Sequence, residues 1–163
     1  MSEHIRIKKG LDIPLTGEAQ LYVAKRVNSG TMAFRPSDFR GLKARAEVVE
    51  GQKVVIGEPL FSDIRRPAVR FCSSACGEVI SVKQGDDGLL EEVRIAADGS
   101  RDHLSFEVRK PSSMERGEIV RLMLEAGLWP CIRQRPFGII ADPERMPNSI
   151  FVSAFSSVPV APQ

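Results

Sequence analysis

The sequence predicts a mainly β first domain over residues 1–110, followed over residues 111–163 by a helix and the first strand of an α/β unit. Three observations carry that expectation. Short alternating apolar runs broken by glycine and proline extend to about Val108, a capped amphipathic stretch follows Pro111, and Ile150-Phe151-Val152 forms a compact apolar run. Period-two alternation buries one face of a sheet, and closely spaced turn residues indicate short strands.

In the first domain Ile5 and Ile7 alternate, as do Ala46 and Val48, Val69 and Phe71, and Val93 and Ile95. Gly85-Asp86-Asp87-Gly88 is a turn by its chemistry, since glycine and aspartate tolerate the backbone that tight connections need. Beyond Lys110-Pro111, Ser112 and Glu115 have capping-box spacing. Ile119, Leu122, Met123 and Ala126 then fall at i, i+3, i+4 and i+7, which predicts a helix from about Met114 to Ala126. Gly127 stands where such a helix ends in the left-handed conformation. The apolar run at Ile150 reads as a buried strand, and a helix feeding a buried strand opens an α/β unit. The sequence stops at Gln163 before any second helix, so a fragment of a longer protein is expected.

Composition narrows the function. Of 163 residues, 42 % are apolar and 27 % charged, which is globular rather than disordered. A formal net charge of +2 supplies no field for a polyanion, which argues against nucleic acid as a partner. No apolar stretch approaches the roughly 20 residues of a membrane-spanning helix, and the N-terminus lacks the apolar core of a secretory signal. The odd set Cys72, Cys76 and Cys131 reads as reduced thiols of a cytoplasmic compartment.

The spacing V-x-x-G-x-x-V-x-x-G-x-x-L occupies Val48, Gly51, Val54, Gly57 and Leu60, and a looser copy follows at Gly77, Val79, Val82 and Gly85. It places apolar residues in a core and glycines at turns. This pattern resembles the barrel-sandwich hybrid of biotinyl and lipoyl carrier domains, which mount a cofactor on a lysine at an exposed hairpin tip. The corresponding stretch here is Ser62-Asp63-Ile64-Arg65-Arg66-Pro67, and arginine has no primary amine to form that amide. The sandwich is expected to be structural, because a shared fold does not carry a shared function.

Ordered blocks along the chain carry a more specific resemblance. They are Ile5 to Gly17 with its Lys8-Lys9-Gly10-Leu11-Asp12 run, Phe34-Arg35-Pro36, the segment Gly51 to Phe61 with Asp63, Pro67 and Gly77-Glu78-Val79, Ala126 to Phe137, and Ser149 to Ala154. Together they resemble the A subunit of the sodium-translocating NADH:quinone reductases (NQR). The C subunit of the Rnf complex shares the sandwich motif and is the nearest alternative; a lysine-free biotinyl- or lipoyl-like interaction domain is another. Cys72 and Cys76 depart from the family's usual small residues, as does Ser156-Ser157-Val158-Pro159 from its usual turn.

The resemblance implies a peripheral subunit on the cytoplasmic face of a bacterial inner membrane. The complex would oxidise NADH, reduce ubiquinone and move sodium ions outward, with flavins and iron–sulfur centres held mainly by other subunits. No cofactor is expected on this fragment, whose partners would be those subunits, with ubiquinone as a further candidate.

Sites follow from residue chemistry. Cys72-x-x-x-Cys76 lacks the spacing and the second pair of a zinc site, and no four-cysteine iron–sulfur run or G-x-G-x-x-G opens a helix. No catalytic set is expected. Trp129, Arg133, Arg135 and Phe137 could meet a quinone, through flat rings and guanidinium donors, or another subunit. Alternatively, Trp129 and Phe137 staple the helix end to the sheet. Arg65, Arg66 and Arg70 form a second basic cluster, either a solvated loop or a docking loop for a partner.

Overall fold

The computed structural model describes residues 22–152, apart from Ala24, Asn28 and Val108. Residues 28–146 form one compact unit. The expected Ile5–Ile7 alternation lies outside the described residues.

Among the described residues, seven short strands build two sheets. One has the order β1 (Thr31–Phe34), β7 (Leu90–Ala97), β6 (Gly77–Gln84), β3 (Lys53–Val54), and the other β2 (Ala44–Ala46), β4 (Pro59–Asp63), β5 (Arg70–Cys72). Every pairing in them is antiparallel. The apolar residues of both sheets meet in one core. Val79, Val93 and Ile95 from the larger sheet, and Leu60 and Phe61 from the smaller, are 0–1 % exposed. Phe61 and Phe71, opposite each other on β4 and β5, stack with centroids 4.7 Å apart, and Phe39 meets Phe71 edge-on at the same distance. Such pairs add about 0.5–1.5 kcal/mol to the burial of their area.

The first copy of the valine–glycine spacing is realised residue by residue, the looser copy in part. Val48, Val54 and Leu60 are buried, while Gly51 and Gly57 adopt φ of 83° and 93°, a region open to glycine at no steric cost. In the looser copy Val79 is buried, and Gly77 lies against β7 so closely that a side chain would collide with the Ala96 carbonyl oxygen. The Gly85–Gly88 turn closes the β6–β7 hairpin, with Gly88 N–H donating to Gly85 O and Leu89 N–H to Asp87 Oδ1.

Helix α1 (Arg116–Glu125) differs from the sequence expectation at its start and in its packing face. Ser112 lies within a 3-10 turn, Pro111–Ser113, and the cap moves three residues on, to Glu115. Glu115 N–H donates to Glu118 Oε2 at 3.0 Å, one arm of a capping box. The residues packed against the core are Val120, Met123 and Leu124 rather than the full Ile119, Leu122, Met123, Ala126 stripe. Both sets have helical spacing, so periodicity alone does not choose between them. The C-terminus follows the expectation. Gly127 has φ 67°, its N–H reaches Leu124 O, and Leu128 N–H reaches Met123 O, a Schellman arrangement.

A 3-10 turn (Trp129–Cys131) and a small hairpin, β8 (Arg133–Gln134) with β9 (Ile139–Ile140), complete the unit. Ile150, Phe151 and Val152 differ from the expected buried strand: they are 78, 89 and 85 % exposed and form no strand. An α/β strand is buried by neighbouring strands and helices, and no described strand pairs with this run. Among the described residues no helix is long and apolar enough to cross a membrane.

Candidate functional site

The residues singled out by sequence fall in two places: the hairpin tip between β4 and β5, and the turn–hairpin segment after α1. The β4–β5 pairing of Ser62 with Arg70 sets the tip at residues 63–69. Asp63 shapes it: its Oδ1 accepts the Arg65 N–H at 3.0 Å, and its carbonyl oxygen accepts the Arg66 N–H at 3.1 Å. The three arginines do not act as one patch. Arg66 Nη2 lies 3.2 Å from Asp142 Oδ2, Arg70 Nε lies 3.6 Å from Glu47 Oε2, and Arg65 is exposed with no ion pair among the described residues.

The second segment is anchored by Trp129. Its ring is 6 % exposed within the core, and its Nε1–H donates to Ala141 O at 2.8 Å. The indole therefore offers almost no face to a ligand, and its one donor is used. Phe137 is 61 % exposed at the β8–β9 turn, held by its carbonyl oxygen, which accepts from Arg40 Nη1 at 3.2 Å. Arg133 stands over the Phe39 ring, 5.9 Å from its centroid, a cation–π distance. Arg135 is exposed and precedes Pro136 through a cis bond. One short segment thus carries all four residues, with Trp129 turned inward and Arg135 and Phe137 outward.

Several fixing residues were not visible in the sequence. Arg40 and Asp142 tie the last segment to the sandwich across 97 and 76 residues of chain, and Arg116 Nη2 reaches the carbonyl oxygens of Pro143 and Arg145. Their partners are fixed only by tertiary folding, so no local signal marks them.

The cysteines are separate. Burial pushes the Cys72 thiol up, Arg70 pulls it down and Glu47 raises it further. Cys76 is buried, with its thiol toward Asp102 O at 2.9 Å, and Cys131 is exposed. Among the described residues no group of three histidines, cysteines or carboxylates is placed to hold a metal.

Comparison with known proteins returns one consistent family. A family model described as the NqrA N-terminal barrel-sandwich hybrid domain matches residues 5–98, and one described as the NqrA second alpha/beta domain matches residues 114–163. Similar curated proteins are named as the A subunit of Na(+)-translocating NADH-quinone reductase. Those of Pseudomonas aeruginosa PAO1, Marinomonas sp. MWYL1 and Rhodopirellula baltica are 33, 32 and 34 % identical, each over 96 % of this chain. The chain spans 35–36 % of the length of these relatives.

Proposed function

The chain belongs to the NqrA family, the A subunits of Na+-translocating NADH-quinone reductases, and on that premise we propose that it is a peripheral building block of such a reductase. In this reading the assembled complex oxidises NADH, reduces ubiquinone and exports sodium ions. The chain lies at the cytoplasmic face of the inner membrane and supplies structure and subunit contacts. NADH, flavins, iron–sulfur centres and ubiquinone are assigned to the assembled complex. Family membership favours the sodium-pump subunit over the Rnf-type relative that shares the sandwich motif.

The observation that carries the reading is the ordered pair of matches, a sandwich over residues 5–98 and the start of an α/β domain over residues 114–163. The β4–β5 tip supports a structural role, since arginines occupy it where carrier domains have their lysine. We place partner or quinone contact at Arg135 and Phe137, the outward members of their segment, and assign Trp129 to the core. Arg65 is the tip residue available for docking. The proposed domain boundary at residues 110–111 falls between the two matched segments.

Purification of the full-length protein from its native membranes tests the reading. Co-fractionation with integral subunits and with sodium-stimulated NADH oxidation is expected. A protein found free of membranes and of other subunits overturns it.

A further inference from the structure

An open depression of about 690 Å³ lies between the β6–β7 hairpin and the segment that leads from the end of β1 into β2. Pro36, Ala44 and Leu90 are buried beneath it, and Leu42 and Leu89 present half-buried side chains. Four cationic side chains (Arg35, Lys43, Lys83 and Arg94) and two anionic ones (Glu91 and Glu92) stand around it.

The anions are already engaged. Lys83 Nζ is 2.6 Å from Glu91 Oε2, and Arg94 Nε is 2.5 Å from Glu92 Oε1. Arg35 and Lys43 form no ion pair among the described residues, and Asp38, three residues beyond Arg35, does not reach it. Among the described residues the depression therefore holds two positive charges without an acidic partner, beside apolar side chains, in a chain whose overall charge is only +2.

We propose that this depression seats an acidic segment of another subunit, its carboxylates meeting Arg35 and Lys43 and an apolar side chain lying over Leu42 and Leu89. The proposal rests on the reading of the chain as part of a multi-subunit complex. Arginine matches a carboxylate through two parallel donors, and lysine adds a mobile point charge. The shape and charge disfavour other occupants. A small-molecule pocket encloses most of its ligand, whereas this depression is open. Binding to an anionic membrane surface draws on clusters of about four to eight basic residues. Nucleic acid needs more phosphate contacts than two cations provide.

The test uses the full-length protein in its membrane complex, with Arg35→Glu and Lys43→Glu combined. Reversing both charges should weaken reassociation with stripped membranes at least tenfold at low ionic strength and flatten its salt dependence. The pair Arg35→Lys and Lys43→Arg keeps both charges and should retain the salt dependence and most of the binding, short of the paired donors lost at residue 35. Arg101→Glu, an exposed charge beyond the far end of β7 and outside the depression, should leave it unchanged. If the double reversal unfolds the chain, Arg35→Gln with Lys43→Gln carries the same test and should give an intermediate loss.

A folded double variant that reassociates with the wild-type affinity and salt dependence overturns the proposal. So does a variant that assembles normally but loses binding to phosphatidylglycerol vesicles, which would identify a lipid surface. Wild-type protein that never joins the membrane subunits overturns the family-based reading as well, so the two failures are distinguishable.

Discussion

Gly127 and Cys72 are packed so closely that a Cβ on Gly127 would lie 2.5 Å from the Cys72 Sγ and 2.9 Å from its Cβ. The contact joins the end of α1 to the edge of β5. Gly127 also has φ 67°, so backbone and space demand glycine for independent reasons.

Gly127→Ala is therefore expected to destabilise the fold by about 2–4 kcal/mol, combining left-handed strain of about 1 kcal/mol with overpacking of about 1–3 kcal/mol. Urea unfolding followed by circular dichroism measures it. Adding Cys72→Ala removes the sulfur contact and leaves the Cβ contact, so the double variant should recover part of the loss.

Trp129→Ala should cost about 3–5 kcal/mol, the range for a large buried aromatic. Trp129→Phe keeps most of the apolar volume and leaves the Ala141 carbonyl without its donor, at a cost of about 1–3 kcal/mol. A pair of variants with unchanged thermal unfolding but altered quinone affinity in the assembled complex would sink the assignment of Trp129 to the core.

The Arg66–Asp142 pair links the β4–β5 tip to the segment after β9. Its side chains are 39 and 22 % exposed, so a double-mutant cycle should give a coupling of about 0.2–1 kcal/mol, smaller at high salt. A coupling of zero at low ionic strength would mean that the pair holds nothing in place.

The thiols should separate kinetically. Cys131 is exposed and should react with iodoacetamide first, whereas Cys76 is buried and Cys72 is half-buried with its thiolate disfavoured by desolvation. In mild alkali, peptide mapping should find Cys131 alkylated at least ten times faster than either. Equal rates in the folded protein would contradict this burial pattern.

Glu118 gives the helix start a pH dependence. The Glu115 N–H it accepts holds its carboxyl below the usual range; desolvation opposes this in part, and Arg109 and then Arg121 add to the lowering. A lowered folded-state pKa contributes stability that is present above the unfolded value, about 4.3, and is lost as pH falls through the folded value. Glu118→Gln should remove that part of the acid sensitivity while keeping an acceptor for the Glu115 N–H. An acid-unfolding curve identical to wild type would show that the cap does not report on pH.

The sandwich was legible because its signals are local. Val48, Val54 and Leu60 are core by period, and Gly51 and Gly57 are turns by backbone chemistry, both written in adjacent residues. Gly127 was legible for the same reason. The helix start was less so: the spacing made Ser112 the cap and Glu115 its partner, whereas the 3-10 turn at Pro111–Ser113 moves the cap to Glu115, a residue type outside the usual N-cap set. The Val120, Met123, Leu124 face competes with an overlapping stripe of equal spacing. The candidate site was least legible. Arg66 with Asp142 and Arg40 with the Phe137 carbonyl depend on chain crossings that no local pattern encodes, as does the approach of the β6–β7 hairpin to Arg35 and Lys43. The inward turn of Trp129 likewise depends on a carbonyl twelve residues away.

The buried indole has a practical consequence for anyone dividing this protein. A recombinant piece ending near residue 110 would keep every sandwich strand and lose the side chain that fills the space beside β5. Such a piece should bind hydrophobic dyes and aggregate, however natural that boundary looks on a sequence diagram. The compact unit runs on past α1 to Met146, and a cut meant to isolate the sandwich is better made beyond that residue.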